Sequence, residues 1–330
     1  MKYHPQMDTL RAIAVFGPIC AHSIRVYDFE YMSWNVMLPW LEKYSHGGVI
    51  LFFVISGFLI TGILMDTPDI KRFYIRRFLR ILPAYYLLVL LYRPDAREFW
   101  WVITYTLNWV PFVPDQAIGH FWSLCVEEQF YLIWPWLVCF TPNKHRPWLF
   151  LGTIAFSLAY KSVMVRLHQP DLALLGTLGC MDQLSLGALT AWMLRNKPDS
   201  YKKYLFSVLV IAALPFAFVQ VKHVIFWKFV IALVCVPIVG SSVFPYRGLL
   251  KRVFAFRPLQ YMGRISYGLY LYHLPLFFAV DWMSARGRYG YWTCWLAYFI
   301  CTLAVASLSW HLFEKPLNNL KRRFPYRALV

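Results

Sequence analysis

Apolar runs of about twenty residues recur along almost the whole chain, and no other feature constrains its fold as strongly. Inside a bilayer each backbone N–H and C=O must find a partner within the protein, so runs this long and continuous cross as helices. Spans are expected near 8–28, 48–65, 81–97, 121–141, 148–165, 177–194, 204–219, 224–240, 264–280 and 291–313. That makes an all-α, polytopic helical membrane protein with about ten transmembrane helices. Composition agrees: 59% of residues are hydrophobic and 15% charged, where a soluble domain carries about 25% charged residues. The first run is too long, and its start too polar, for a cleaved signal peptide. Seven cysteines (Cys20, Cys125, Cys139, Cys180, Cys235, Cys294 and Cys301) lack CxxC spacing and lie mostly in apolar runs. They read as small core residues, and no metal site is expected. Walker, GxGxxG and HExxH patterns are also missing.

The aromatic segment "EFWWVITYTLNWVPFV", 98–113, decides the topology. Counted as a crossing, it would put the "NKHRP" loop and every later basic loop but one opposite "KRFYIRRFLR". Taken as interfacial or re-entrant, it leaves twenty Lys and Arg, from Lys71 to Arg327, on one side. The other side then holds seven: Lys43, Arg93, Arg97, Arg166, Lys222, Arg286 and Arg288. This is a positive-inside bias, which explains the net charge of +17 without a nucleic-acid partner. Both termini are expected in the cytoplasm, in a multi-pass protein of the cell inner membrane. The spans leave no room for a soluble domain, so 1–330 reads as a single membrane domain, and no internal repeat is visible.

Three constellations stand out. In the first helix, Asp8, Arg11 and His22 fall within about 60° of one another at roughly 100° per residue, so one polar stripe faces away from lipid. Asp8 and Arg11, three apart, can pair, which lowers the cost of burying both. His22 lies about 16 Å beyond Arg11 along the axis, in the middle to outer half of the bilayer. On these residues alone it reads equally as an interhelical hydrogen bonder. In "HFWSLCVEEQFYLIWP", 120–135, Ser123, Glu127 and Tyr131 repeat every four residues and share one face. Glu127 is expected inside and Glu128 at the surface, with His120 at the membrane surface and outside the chemistry. In "KRFYIRRFLRILP", 71–83, Arg77 and Arg80 share a face, as do Arg76 and Arg80. The cluster suits anionic lipid or, through the planar guanidinium fork, a bound phosphate; Lys71 and Arg72 are expected at headgroups. Further candidates are Asp182, a carboxylate inside an apolar span, and Ser266, Tyr270 and His273, which share a face where core packing is an equal reading. Glu314, before Pro316, is expected to end the last helix. His4, His46, His145, His168, His223 and His311 are given no role.

Taken in order, "MDTLRAIAVFGPICAHS", "GGVILFFVISGFLI", "RRFLRILPAYY", "FWSLCVEEQFYLIWPW", "GRISYGLYLYHLPLF" and "HLFEKPL" resemble the acyltransferase 3 family of integral membrane O-acyltransferases over essentially the full chain. Thr9 and Ala12 stand where the family commonly has small glycines, a departure that bears on helix packing more than on chemistry. The chain also lacks the extracytoplasmic hydrolase-like domain appended in some members. The resemblance implies transfer of an acyl group, most often acetyl, from acyl-CoA to a hydroxyl of a carbohydrate or lipid-linked glycan acceptor. It assigns the first-helix histidine to His22, the RxxR arginines to Arg77 and Arg80, and the SLxxExxxY residues to Ser123, Glu127 and Tyr131. In the mechanism this suggests, Arg77 and Arg80, assisted by Arg76, hold the coenzyme A phosphates, and His22 is the general base. Glu127 orients His22 or the acceptor, Asp8 supports the first helix, and Arg11 stabilises developing negative charge. Ser123, Tyr131, Asp182 and His273 are expected to contact substrate, and an acyl-enzyme on His22 or Ser123 is a variant of the scheme. A secondary transporter would also bury such groups but should show inverted internal symmetry. A non-catalytic scaffold would need no arginine clamp.

Overall fold

A computed structural model describes residues 4–25, 38–110, 117–218, 224–284 and 291–325. Among these residues the chain is helical, and each expected span is matched by a helix. The ten are α1 (Pro5–Arg25), α2 (Leu38–Asp66), α3 (Ile70–Tyr92), α5 (Phe121–Phe140), α6 (Arg146–Arg166), α8 (Thr177–Asn196), α9 (Pro198–Phe218), α10 (Val224–Ser241), α13 (Ser266–Ser284) and α14 (Tyr291–Ser309). Shorter helices connect them: α4 (Phe99–Ile103), α7 (Pro170–Leu175), α11 (Gly248–Phe254), α12 (Arg257–Arg264) and α15 (Lys315–Asn319). Stretches Gly47–Asp66 and Pro170–Asn196 are long and apolar enough to cross a bilayer and are mostly buried in the protein. Arg146–Arg166 and Thr293–Arg323 are equally suited to crossing but mostly exposed, which in a bilayer means facing lipid.

The centre of the bundle is the contact of α2 with α8, and small residues make it close. A Cβ on Gly57 would lie 1.8 Å from the Leu184 carbonyl oxygen, and one on Gly187 would lie 2.1 Å from that of Val54. Lipid tails supply little hydrophobic drive between helices, so this backbone approach is how the interface gains van der Waals contact. At one end of the pair Arg195 grips Asp66 with two bonds of 2.8 Å, the bidentate fork that arginine favours. Helix α12 meets the start of α1 so tightly that a Cβ on Gly263 would collide with the Asp8 carbonyl oxygen.

The segment expected to be re-entrant does not cross as a helix. Its described part, 98–110, holds α4 and a single 3₁₀ turn at Leu107–Trp109, and five helical residues reach only about 7.5 Å. Irregular backbone at this depth must be satisfied by protein. Tyr85 and Tyr86 donate to the carbonyls of Val102 and Ile103 at 2.8 Å. Gln129 on α5 does the rest: its oxygen accepts from Trp109 and Thr177, and its amide donates to the Tyr105 carbonyl and the Asn108 side chain. Both donors and both lone pairs of Gln129 are thereby used. After α14 the helix widens into one π turn, Trp310–Glu314. The buried Glu314 there accepts from Ser309 at 2.8 Å, and helical backbone continues beyond it through α15, so Glu314 does not end the last helix as expected.

Candidate active site

Helices α1, α2, α3, α5 and α13 surround a cleft enclosing about 740 Å³, its open mouth included. Every charged side chain on its wall belongs to an expected constellation: Arg11, Arg77, Arg80 and Glu127. Three cations against one carboxylate leave the cleft positive. Spacing by four brings Glu127 and Tyr131 onto the α5 face that looks into it. Ser56 of α2 meets both, donating to Glu127 Oε1 at 2.5 Å and lying 3.1 Å from the Tyr131 hydroxyl. The Arg77 guanidinium stacks over Tyr131, 5.1 Å from the ring centroid, which fixes its plane without using up its N–H donors. Arg11, Arg77 and Arg80 all lie within electrostatic reach of Glu127. Arg11 also holds Asp8 at 3.2 Å, the pair expected along the first helix.

Ser123 and Tyr270, also on the cleft wall, lie 2.5 Å apart and close its inner side. Directly behind them lies a group of imidazoles. Tyr270 and Ser123 both reach the His120 carbonyl, at 3.1 and 3.3 Å. His22 Nδ1 is 3.0 Å from His273 Nε2, and the two rings are nearly parallel, 11° apart. His120 stands edge-on to His273 with centroids 4.7 Å apart. Two helices distant in sequence, α1 and α13, thus share one polar seam with the start of α5.

Six residues are placed otherwise than expected. Arg76 does not line the cleft; its guanidinium donates to the carbonyls of Lys321 and Phe324, tying α3 to the C-terminal segment. Arg72 does the same to Pro325 while pairing with Asp69, so it is not simply a headgroup contact. Asp182 is not at the site either. It forms a fully buried ion pair with Lys161 of α6 at 2.7 Å, with Ser157 as a second donor, which makes the carboxylate a fastener between α6 and α8. His120 is buried rather than at a surface, and Glu128 is half-buried, within electrostatic reach of Glu127 and Arg77. Neither His22 nor His273 is on the cleft wall; His273, expected to touch substrate, bonds to His22 and joins the wall through Tyr270.

Two participants carried a signal that was readable in the chain. His120 precedes Ser123 by three residues and Glu127 by seven, so it opens the same helical face. Ser56 is one of two hydroxyls, with Thr61, in the strongly apolar stretch Gly47–Asp66.

A family model described as an acyltransferase domain matches residues 4–311. O-acetyltransferase OatA of Staphylococcus aureus is 26% identical over 363 residues, covering 96% of this chain and 58% of that protein. Peptidoglycan O-acetyltransferase OatA of Listeria monocytogenes is 29% identical over 365 residues, covering 96% of this chain and 56% of that protein. The chain therefore spans a little over half the length of these relatives. No solved structure matches it. A family match that runs from the start of α1 to the π turn after α14 takes in the whole cleft and the histidine seam behind it, and the chain belongs to the Acyl_transf_3 family of acyltransferase domains.

Proposed function

We propose that this protein is an acyl-CoA-dependent O-acyltransferase that places acetyl groups on a hydroxyl of an envelope glycan, with peptidoglycan the favoured class of acceptor. One observation carries the reading: a cleft walled by three arginines is linked, through Tyr270 on its wall, to a histidine pair. The names of the relatives, O-acetyltransferase and peptidoglycan O-acetyltransferase, support the acyl group and the acceptor class.

Arg77 and Arg80 hold the donor's phosphates, a task for which the guanidinium fork is suited. Their basic segment faces the cytoplasm, where acyl-CoA is available, by the positive-inside bias. The bound donor supplies a thioester, whose carbonyl carbon is the electrophile. His22 takes the proton of the acceptor hydroxyl as the oxygen attacks that carbon, then returns it to the departing thiolate as the C–S bond breaks. Arg11 faces the charge that develops on the carbonyl oxygen. Glu127, held by Ser56 and Tyr131, keeps the three arginines from repelling one another when the cleft is empty.

The test is to incubate the protein in lipid nanodiscs with [¹⁴C]acetyl-CoA and soluble peptidoglycan fragments. Base-labile label on the glycan is expected. A protein that neither binds nor consumes acetyl-CoA would overturn the reading.

A further inference from the structure

His273 is the most buried member of the histidine seam, fully shielded on α13. Its Nδ1 lies 2.6 Å from the backbone carbonyl of Tyr270, one turn back on the same helix. A carbonyl oxygen only accepts, so His273 carries its proton on Nδ1 and presents a lone pair at Nε2. That lone pair faces His22 Nδ1 at 3.0 Å. No carboxylate among the described residues bonds to His273; its ring neighbours are His22, His120 and Tyr270. A charge buried there would be uncompensated, so the ring is neutral.

From this geometry we infer that His273 is a positioning residue that fixes His22 as its Nδ1–H tautomer, leaving Nε2 as the basic nitrogen. The chain of assignments runs in one direction: the Tyr270 carbonyl orders His273, and His273 orders His22. When His22 takes a proton on Nε2, its Nδ1–H still donates to the His273 lone pair, so the imidazolium keeps this partner. His120 stacks edge-on against His273 and hydrogen-bonds the Leu271 carbonyl through Nε2, which holds the α13 ring from its other side. Tyr270 couples this seam to the cleft, since its carbonyl anchors His273 while its hydroxyl meets Ser123 on the cleft wall. The inference deepens the proposed activity and rests on it for the role of His22, but the tautomer itself is independent of any substrate.

The experiment is ¹⁵N NMR of [¹⁵N]histidine-labelled protein in nanodiscs, the His22 signals being those lost in His22→Ala. Wild-type protein should show His22 protonated at Nδ1 and unprotonated at Nε2, with no ligand added. His273→Leu should move the proton to Nε2, whereas His273→Gln should keep it on Nδ1, because the amide oxygen accepts where Nε2 did. In the acetyl-CoA assay His273→Leu should lower kcat by about 10–100-fold, as loss of an orienting bond to a functional imidazole does. KM for acetyl-CoA should not change, and His273→Gln should recover much of the rate. Wild-type His22 protonated at Nε2, or a tautomer that His273→Leu leaves alone, would overturn the inference even if acetyl transfer is found. The expected tautomers without consumption of acetyl-CoA would sink the proposed activity and leave this inference standing.

Discussion

At His22 the expected consequence of substitution is chemical rather than structural. His22→Ala removes the proposed base from a partly buried position, and acetyl transfer should fall by about 10²–10⁴-fold, with insertion and purification unchanged. Turnover at the wild-type rate would take His22 out of the mechanism. The arginines differ from one another. Arg77→Ala and Arg80→Ala should raise KM for acetyl-CoA, and lysine at either position should rescue only part of it, since a point charge cannot reproduce the planar fork. Arg76→Ala should leave that KM unchanged, because its guanidinium is engaged with the carbonyls of Lys321 and Phe324 outside the cleft. Equal losses at all three positions would mean the cluster acts as one diffuse field.

Among the helices, the α6–α8 fastener offers a test of stability separated from chemistry. Asp182 and Lys161 are both fully buried, 2.7 Å apart. Removing one partner strands a charge, so Asp182→Ala should destabilise the protein by about 3–5 kcal/mol, read as a drop in thermal unfolding temperature in detergent. Replacing both by apolar residues, Asp182→Leu with Lys161→Met, should recover most of that loss, since a well-packed apolar pair is often as stable as a buried salt bridge. A double variant as unstable as the single one would assign the pair a role beyond fastening. Gln129 is the comparable element-scale residue for the segment expected to be interfacial or re-entrant. Three of its four hydrogen bonds join α5 to residues 105–109, so its loss should expose that segment to proteolysis first.

For the molecule as a whole, the expected topology rests on α4 and its neighbouring turn being too short to cross. In a background without the native cysteines, single cysteines at Ala96 and Lys144, both exposed, should be labelled from opposite sides of the membrane. Labelling from the same side would mean that 98–113 crosses after all. The α5 face that carries Glu127 would then enter the membrane from the arginine side, and delivery of acyl groups to an outside acceptor would lose its basis. Asp115, which would report on the same loop, lies outside the described residues, as do parts of the 29–46 loop.

The sequence by itself determined the helices and picked out several of the residues that line the cleft. Long apolar runs permit no other backbone in a bilayer, and spacing by three and four placed Asp8 with Arg11, and Glu127 with Tyr131, before any contact was seen. These are facts of one helix at a time. What a side chain meets across a helix interface depends on which helices neighbour each other and how each is rotated, and local periodicity carries neither. Asp182 and His22 looked alike as ionisable groups in apolar spans. Only the tertiary structure gave Asp182 a lysine of α6 as its partner and His22 an imidazole 251 residues away on α13. Likewise, Arg76 and Arg80 share a face of α3, yet the C-terminal segment folds back onto Arg76 and leaves Arg80 to the cleft. Hydrophobic patterning selects helices and their buried faces, whereas the choice of partner for each buried polar group is made by packing, where an unmatched charge is too costly to leave alone.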